Sequence, residues 1–120
     1  MIRSLVAVFL GAGTGGVLRY LVNVAVAHYF QGRFPLATFL VNVSGCFLIG
    51  LVMPLVQHRD PLRLLFVAGV LGGYTTFSTF GFEIYRAIRE GWFGTAFLYA
   101  AGSVIAGLAA VWLGTLVTRR

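Results

Sequence analysis

The stretch Gly72-Gly73-Tyr74-Thr75-Thr76-Phe77-Ser78-Thr79-Phe80-Gly81-Phe82-Glu83 decides how the rest of the chain is read. It lies inside an apolar block, yet two adjacent glycines, three threonines, a serine and an acid are poor material for an unbroken helix. The block runs over about residues 62–86, and the pair Gly72-Gly73 followed by Tyr74-Thr75-Thr76 divides it into two arms. Neither arm reaches the roughly 20 residues a helix needs to cross a bilayer. The spacing therefore predicts a helix broken at membrane depth. Irregular backbone there is tolerated only where protein or a wet cavity surrounds it, and the carbonyls it frees suit a hard cation. Beyond the break, Phe77 and Phe80 project to one side with Ser78 and Thr79 between them. The ring edges of such a pair are electropositive and can face an anion; the same pair is also ordinary packing material.

Working outward, the 120 residues are 59% hydrophobic and 10% charged, more apolar surface than one small globular core hides. Four apolar blocks, at about 4–28, 35–57, 62–86 and 93–117, read as four membrane spans in a single domain. The first is too long, and lacks a suitable cleavage site, to be a removed signal peptide. Short connections around Gln31, Arg59 and Gly91 make successive spans antiparallel neighbours. Asp60 is placed to cap the third span ahead of Pro61. All nine basic residues are arginines, scattered singly between apolar runs, which argues against a nucleic-acid partner despite a net charge of +6. Arg3, Arg59, Arg63, Arg119 and Arg120 fall on the side of the termini, against Arg33, Arg86 and Arg89 on the other. So slight a bias is a weak orientation signal, compatible with insertion both ways.

Small residues mark where helices meet in lipid. Gly11 with Gly15, Gly45, Gly50, Gly102 with Ala106, and Ser103 with Gly107 are such positions, serving either packing within one chain or association of chains. Polar groups within spans are expensive and therefore candidates for function. Arg19 precedes Asn23 by one turn and either works inside the membrane or snorkels to its edge. Asn42 shares a face with Thr38, and either lines a path or bonds a neighbouring helix. Tyr99, Ser103 and Gly107 trace one face of the fourth span. That hydroxyl stripe reads equally as a wet track or as serine bonding back to its own helix. The single cysteine, Cys46, is read as a small buried apolar residue. No hydrolytic constellation surrounds His28 or His58, which excludes the usual enzyme classes.

Three segments taken together, GGVLRY at residues 15–20, TFLVNVSGCFLIG at 38–50 and GVLGGYTTFSTFGFE at 69–83, resemble the Fluc (CrcB) family of fluoride channels over essentially the whole chain. The resemblance implies an all-α membrane protein of four transmembrane helices per subunit, assembled as an antiparallel, dual-topology homodimer in the plasma or inner membrane. It implies passive export of fluoride and a sodium ion at the dimer centre. On that basis the Gly72 and Thr75 carbonyls match the sodium ligands. Asn42, Phe77, Phe80, Ser78, Thr79, Tyr99 and Ser103 match the fluoride pore, and Arg19 and Glu83 its mouth. Gly107 departs from the pattern, at a position where family members can carry serine. The principal alternative, a small dual-topology multidrug or cation exporter, requires a carboxylate in the first span, and there is none.

Overall fold

The computed structural model describes residues 1–119; Arg120, counted above among the terminal arginines, lies outside them. Four helical segments are long and apolar enough to cross a membrane, making this an all-helical, multi-pass membrane protein. α1 is Ile2–Tyr29 and α2 is Leu36–Val56. The third span, Asp60–Arg89, is composite. Its first arm, α3, covers residues 60–74: an α-turn at Asp60–Arg63, a π-wound stretch at Leu64–Leu71, and an α-turn at Gly72–Tyr74. Its second arm, α4, is Ser78–Arg89, and α5, the fourth span, is Phe93–Thr118.

The break meets the predicted one at Thr75 and Thr76 but begins three residues later than Gly72. Gly72 is still right-handed helical, with φ −62° and ψ −38°, whereas Thr75 is extended, with φ −80° and ψ 160°. The non-helical residues are Thr75, Thr76 and Phe77. The glycine pair serves close approach instead. A Cβ on Gly73 would collide with the Ala12 backbone, and one on Gly69 would stand 2.9 Å from the Gly11 Cα. Gly11 and Gly15 answer from α1, where any side chain would strike the backbone of Leu65 or Val70. A second seam joins α2 to α5, with Gly50 against Val111 and Gly114 against Phe47. These glycines thus pack within the chain, whereas Gly13, Gly16 and Gly102 have nothing within 4 Å of where a Cβ would be and face outward.

The ends follow from local chemistry. Asp60 does not cap with its side chain; it is the first helical residue and accepts a 2.9 Å bond from Arg63. α4 stops at Glu90 because Gly91 takes φ +76°. The Gly91 and Trp92 amides then bond back to Ile88 and Ala87, closing the helix end and turning the chain directly into α5. Trp92 receives the Arg33 guanidinium 4.9 Å above its ring, tying this turn to the α1–α2 connection.

Candidate functional site

Asn42 holds the break open. Its Nδ2 donates to the Thr76 carbonyl at 3.0 Å, and its Oδ1 accepts the Thr76 amide at 2.9 Å. That amide is the donor which would close an α-turn onto the Gly72 carbonyl, so the asparagine takes it away and leaves Gly72 O without its helical partner. Gly72 is itself exposed. Thr75 keeps its amide and hydroxyl on Leu71 O, at 3.0 and 2.8 Å. The Thr75 carbonyl receives the Arg19 Nη1 at 3.4 Å, a long bond. Arg19 thus reaches from α1 to the break. α4 starts on Thr76, whose Oγ1 accepts the Thr79 amide at 3.3 Å and donates to Thr79 Oγ1 at 3.1 Å. Ahead of the break, the Tyr74 and Ser44 hydroxyls bond at 2.9 Å beside Gly45, where a Cβ would clash with Thr75.

These elements enclose a cavity of about 400 Å³ open to one side. Asn42, Gly72, Thr75, Phe77, Phe80 and Ser103 are on its wall. Ser103 Oγ is buried and has no hydrogen-bond partner among the described residues. It does not bond back to its own helix, which removes that reading of the α5 stripe. By contrast Ser44, on α2, does bond back, to Val41 O at 3.2 Å.

A second polar cluster adjoins the cavity. Glu83 of α4 accepts from Thr38 of α2 at 2.9 Å and from Tyr99 of α5 at 2.7 Å. Tyr99 and Thr38 are almost fully buried, at 1% and 3% exposure. An edge-to-face aromatic contact of 5.1 Å joins Tyr99 to Phe80, and Phe80 lies 5.8 Å from Phe77. The rings bridge the two clusters. Phe77, 83% exposed, presents its free face outward. Ser78 and Thr79 sit on the exposed first turn of α4 and are not on the cavity wall. Thr38 and Thr76 went unassigned in the sequence. Thr38 had a signal, one turn before Asn42; Thr76 had none, because its role depends on which amide the asparagine reaches.

Among the described residues, no group of three or more His, Cys, Asp or Glu is placed to hold a metal.

Fold and site together define a class: a small four-span membrane protein whose broken third helix is pinned by polar side chains beside an open cavity. The chain matches the model of the family described as CrcB-like protein, Camphor Resistance (CrcB), over residues 6–115. It belongs to the CrcB family. It is 51% identical over 115 residues to a protein of Solibacter usitatus (strain Ellin6076) named fluoride-specific ion channel FluC, covering 92% of this chain and 94% of that protein. FluC proteins of Methylobacterium sp. (strain 4-46) and Acidobacterium capsulatum are 46% and 45% identical. The alignments cover 99% of this chain and 98% of the first relative, and 94% of each partner in the second pair.

Proposed function

We propose that the protein is a fluoride-specific ion channel that lets fluoride leave the cell passively. The observation that carries this is the unpartnered Ser103 hydroxyl on a cavity shared with Asn42 and Phe80, in a chain whose relatives bear that name. A small, strongly hydrated anion needs donors that replace water without holding it. Ser103 Oγ–H is free for this, and so is the second Nδ2 hydrogen of Asn42, the first being spent on Thr76. The Phe77 and Phe80 ring edges add weak positive potential without a charge. Tyr99 is a donor already committed to Glu83, so it joins the path only by exchanging that bond for the anion. Thr79 and Ser78 would serve at the outer start of α4, and Arg19 and Glu83 would set the potential beside the path rather than line it.

The active form we propose is an antiparallel homodimer in the cell membrane. Its support is physical: non-helical backbone at Thr75–Phe77, with Phe77 open to lipid in the single chain, calls for a protein partner. The carbonyls of Gly72 and Thr75 fit a sodium ion, since the first lacks its helical donor and the second has only the long Arg19 contact. Bound there, sodium would supply fixed positive charge near the path.

Fluoride efflux from liposomes, with chloride as control, tests this reading. Phe80→Ile, which keeps bulk but loses the ring edge, should lower flux per folded protein by roughly tenfold or more, about the effect of 1.4 kcal/mol on a barrier. Phe80→Met should be milder, and Phe82→Ile, at an exposed position off the cavity, should match the parent. Parent liposomes that lose chloride as fast as fluoride would overturn the function. A monomeric active species would overturn the dimer. Full activity and an unchanged melting temperature after exhaustive sodium removal would overturn the cation site.

A further inference from the structure

The cavity wall holds one group that neither the break nor the Glu83 cluster uses. Cys46, the chain's only cysteine, lies one turn after Asn42 on α2 and is on the same wall. It is a free thiol, half-buried. On α5, Ser103 shares that wall and, one turn further, Gly107 is buried. A Cβ at Gly107 would stand only 3.2 Å from the Cys46 sulfur, so the thiol occupies the room a side chain at 107 would need. The two helices have exchanged contributions at this level: α5 gives only backbone, and α2 gives the side chain. Ser103 Oγ, without a partner, is the neighbouring polar group.

We propose that Cys46 lines the anion path as a donor, its S–H receiving fluoride beside Ser103 at the level where Gly107 offers no side chain. The inference rests on the channel reading above. A thiol is a weak donor on a polarizable sulfur, suited to passing an anion along rather than binding it. The competing role is packing alone, with the sulfur filling the gap over Gly107.

Substitutions separate the two. With the full chain reconstituted and fluoride efflux normalised to folded protein, Cys46→Ala should fall by roughly fivefold to tenfold, the effect of one lost hydrogen bond on a barrier. Cys46→Ser, which keeps a donor in nearly the same place, should stay within about twofold of the parent. In Cys46→Ala/Gly107→Ser the hydroxyl enters from the opposite helix into the space the sulfur vacates, and flux should recover. Melting temperature is read alongside, since packing alone predicts that stability moves while normalised flux does not. Cys46→Ala carrying fluoride at the parental rate per folded protein, or Cys46→Ser falling as far as Cys46→Ala, overturns the proposal and leaves the channel reading intact. A parent that moves no fluoride overturns both.

Discussion

Before its break the third span meets α1 backbone to backbone; after the break the same span is held to α2 and α5 through side-chain hydrogen bonds. Along α3 the contacts to α1 are Gly69 on Gly11 and Gly73 on Ala12, with no polar side chain crossing that seam until Arg19 reaches Thr75; toward α2, the Tyr74 hydroxyl bonds that of Ser44 at the last turn of the arm. From Thr76 onward the attachments are Asn42 to Thr76, and Thr38 and Tyr99 to Glu83. In lipid neither arm gains from water exclusion, so one uses shape and the other uses donors and acceptors. A shape seam is all or none, because two backbones either approach or do not. A polar attachment is a set of separable bonds; both arms reach the cavity, α3 through Val67, Leu71 and Gly72 and α4 through Phe80.

The contrast is broken most directly at its rigid side. Gly15→Leu drives a side chain into the Val70 carbonyl and should destabilise by roughly 3 kcal/mol or more, leaving little folded protein in detergent. Gly13→Leu, two positions away in open space, should melt like the parent. Equal melting temperatures for the two would mean that the α1–α3 seam is not what fixes the first arm. A smaller effect is expected at the polar side. Asn42→Ala strands both the amide and the carbonyl of Thr76 and should cost about 2 kcal/mol. The Thr76 amide should then exchange its hydrogen faster while α3 amides remain protected. Uniform loss of protection along the whole span would show the two arms to be one cooperative unit. The smallest effect sharpens the comparison by testing plain electrostatics. Asp60→Asn removes the exposed pair with Arg63, whose side chains are 77% and 45% accessible, and should change stability by less than about 1 kcal/mol. A larger loss in thermal melts would assign the arm a charge-based anchor that the contrast denies.

Hydropathy alone made the four spans legible, since runs of this length and apolarity have few alternatives. The existence of the break was legible too, and so was its place at Thr75 and Thr76, but not that the glycine pair stays helical. Gly72-Gly73 carries the same letters whether glycine is chosen for backbone freedom or to let Ala12 approach, and only the three-dimensional contact separates the two. Asn42 and Thr38 were visible as one polar face because helical periodicity is local. That Asn42 grips Thr76 while Thr38 grips Glu83 depends on the pairing of α2 with α4, which no spacing encodes. The Ser103 stripe was ambiguous for another reason: a serine's choice between its own helix and an outside partner is a rotamer, and here the rotamer leaves Oγ free. Cys46 read as a small apolar residue because the space it fills is defined by an absence on another helix, Gly107.

The π-wound stretch Leu64–Leu71 has a consequence at the level of the gene. π-Winding holds more residues per turn than an α-helix, so this segment stores about one residue beyond what an α-helix of equal rotation would contain. Loss of a single codon here can be absorbed by rewinding the segment as α-helix, leaving Gly73 on Ala12 and the break in phase. The same loss within Ser78–Arg89 has no such reserve: everything beyond it turns by about 100°, carrying Glu83 off Thr38 and Tyr99 when the lost codon precedes residue 83. Length variation among natural or laboratory variants should therefore collect on the near side of the break and be purged on the far side, a pattern that deletion scanning across residues 60–89 would read directly.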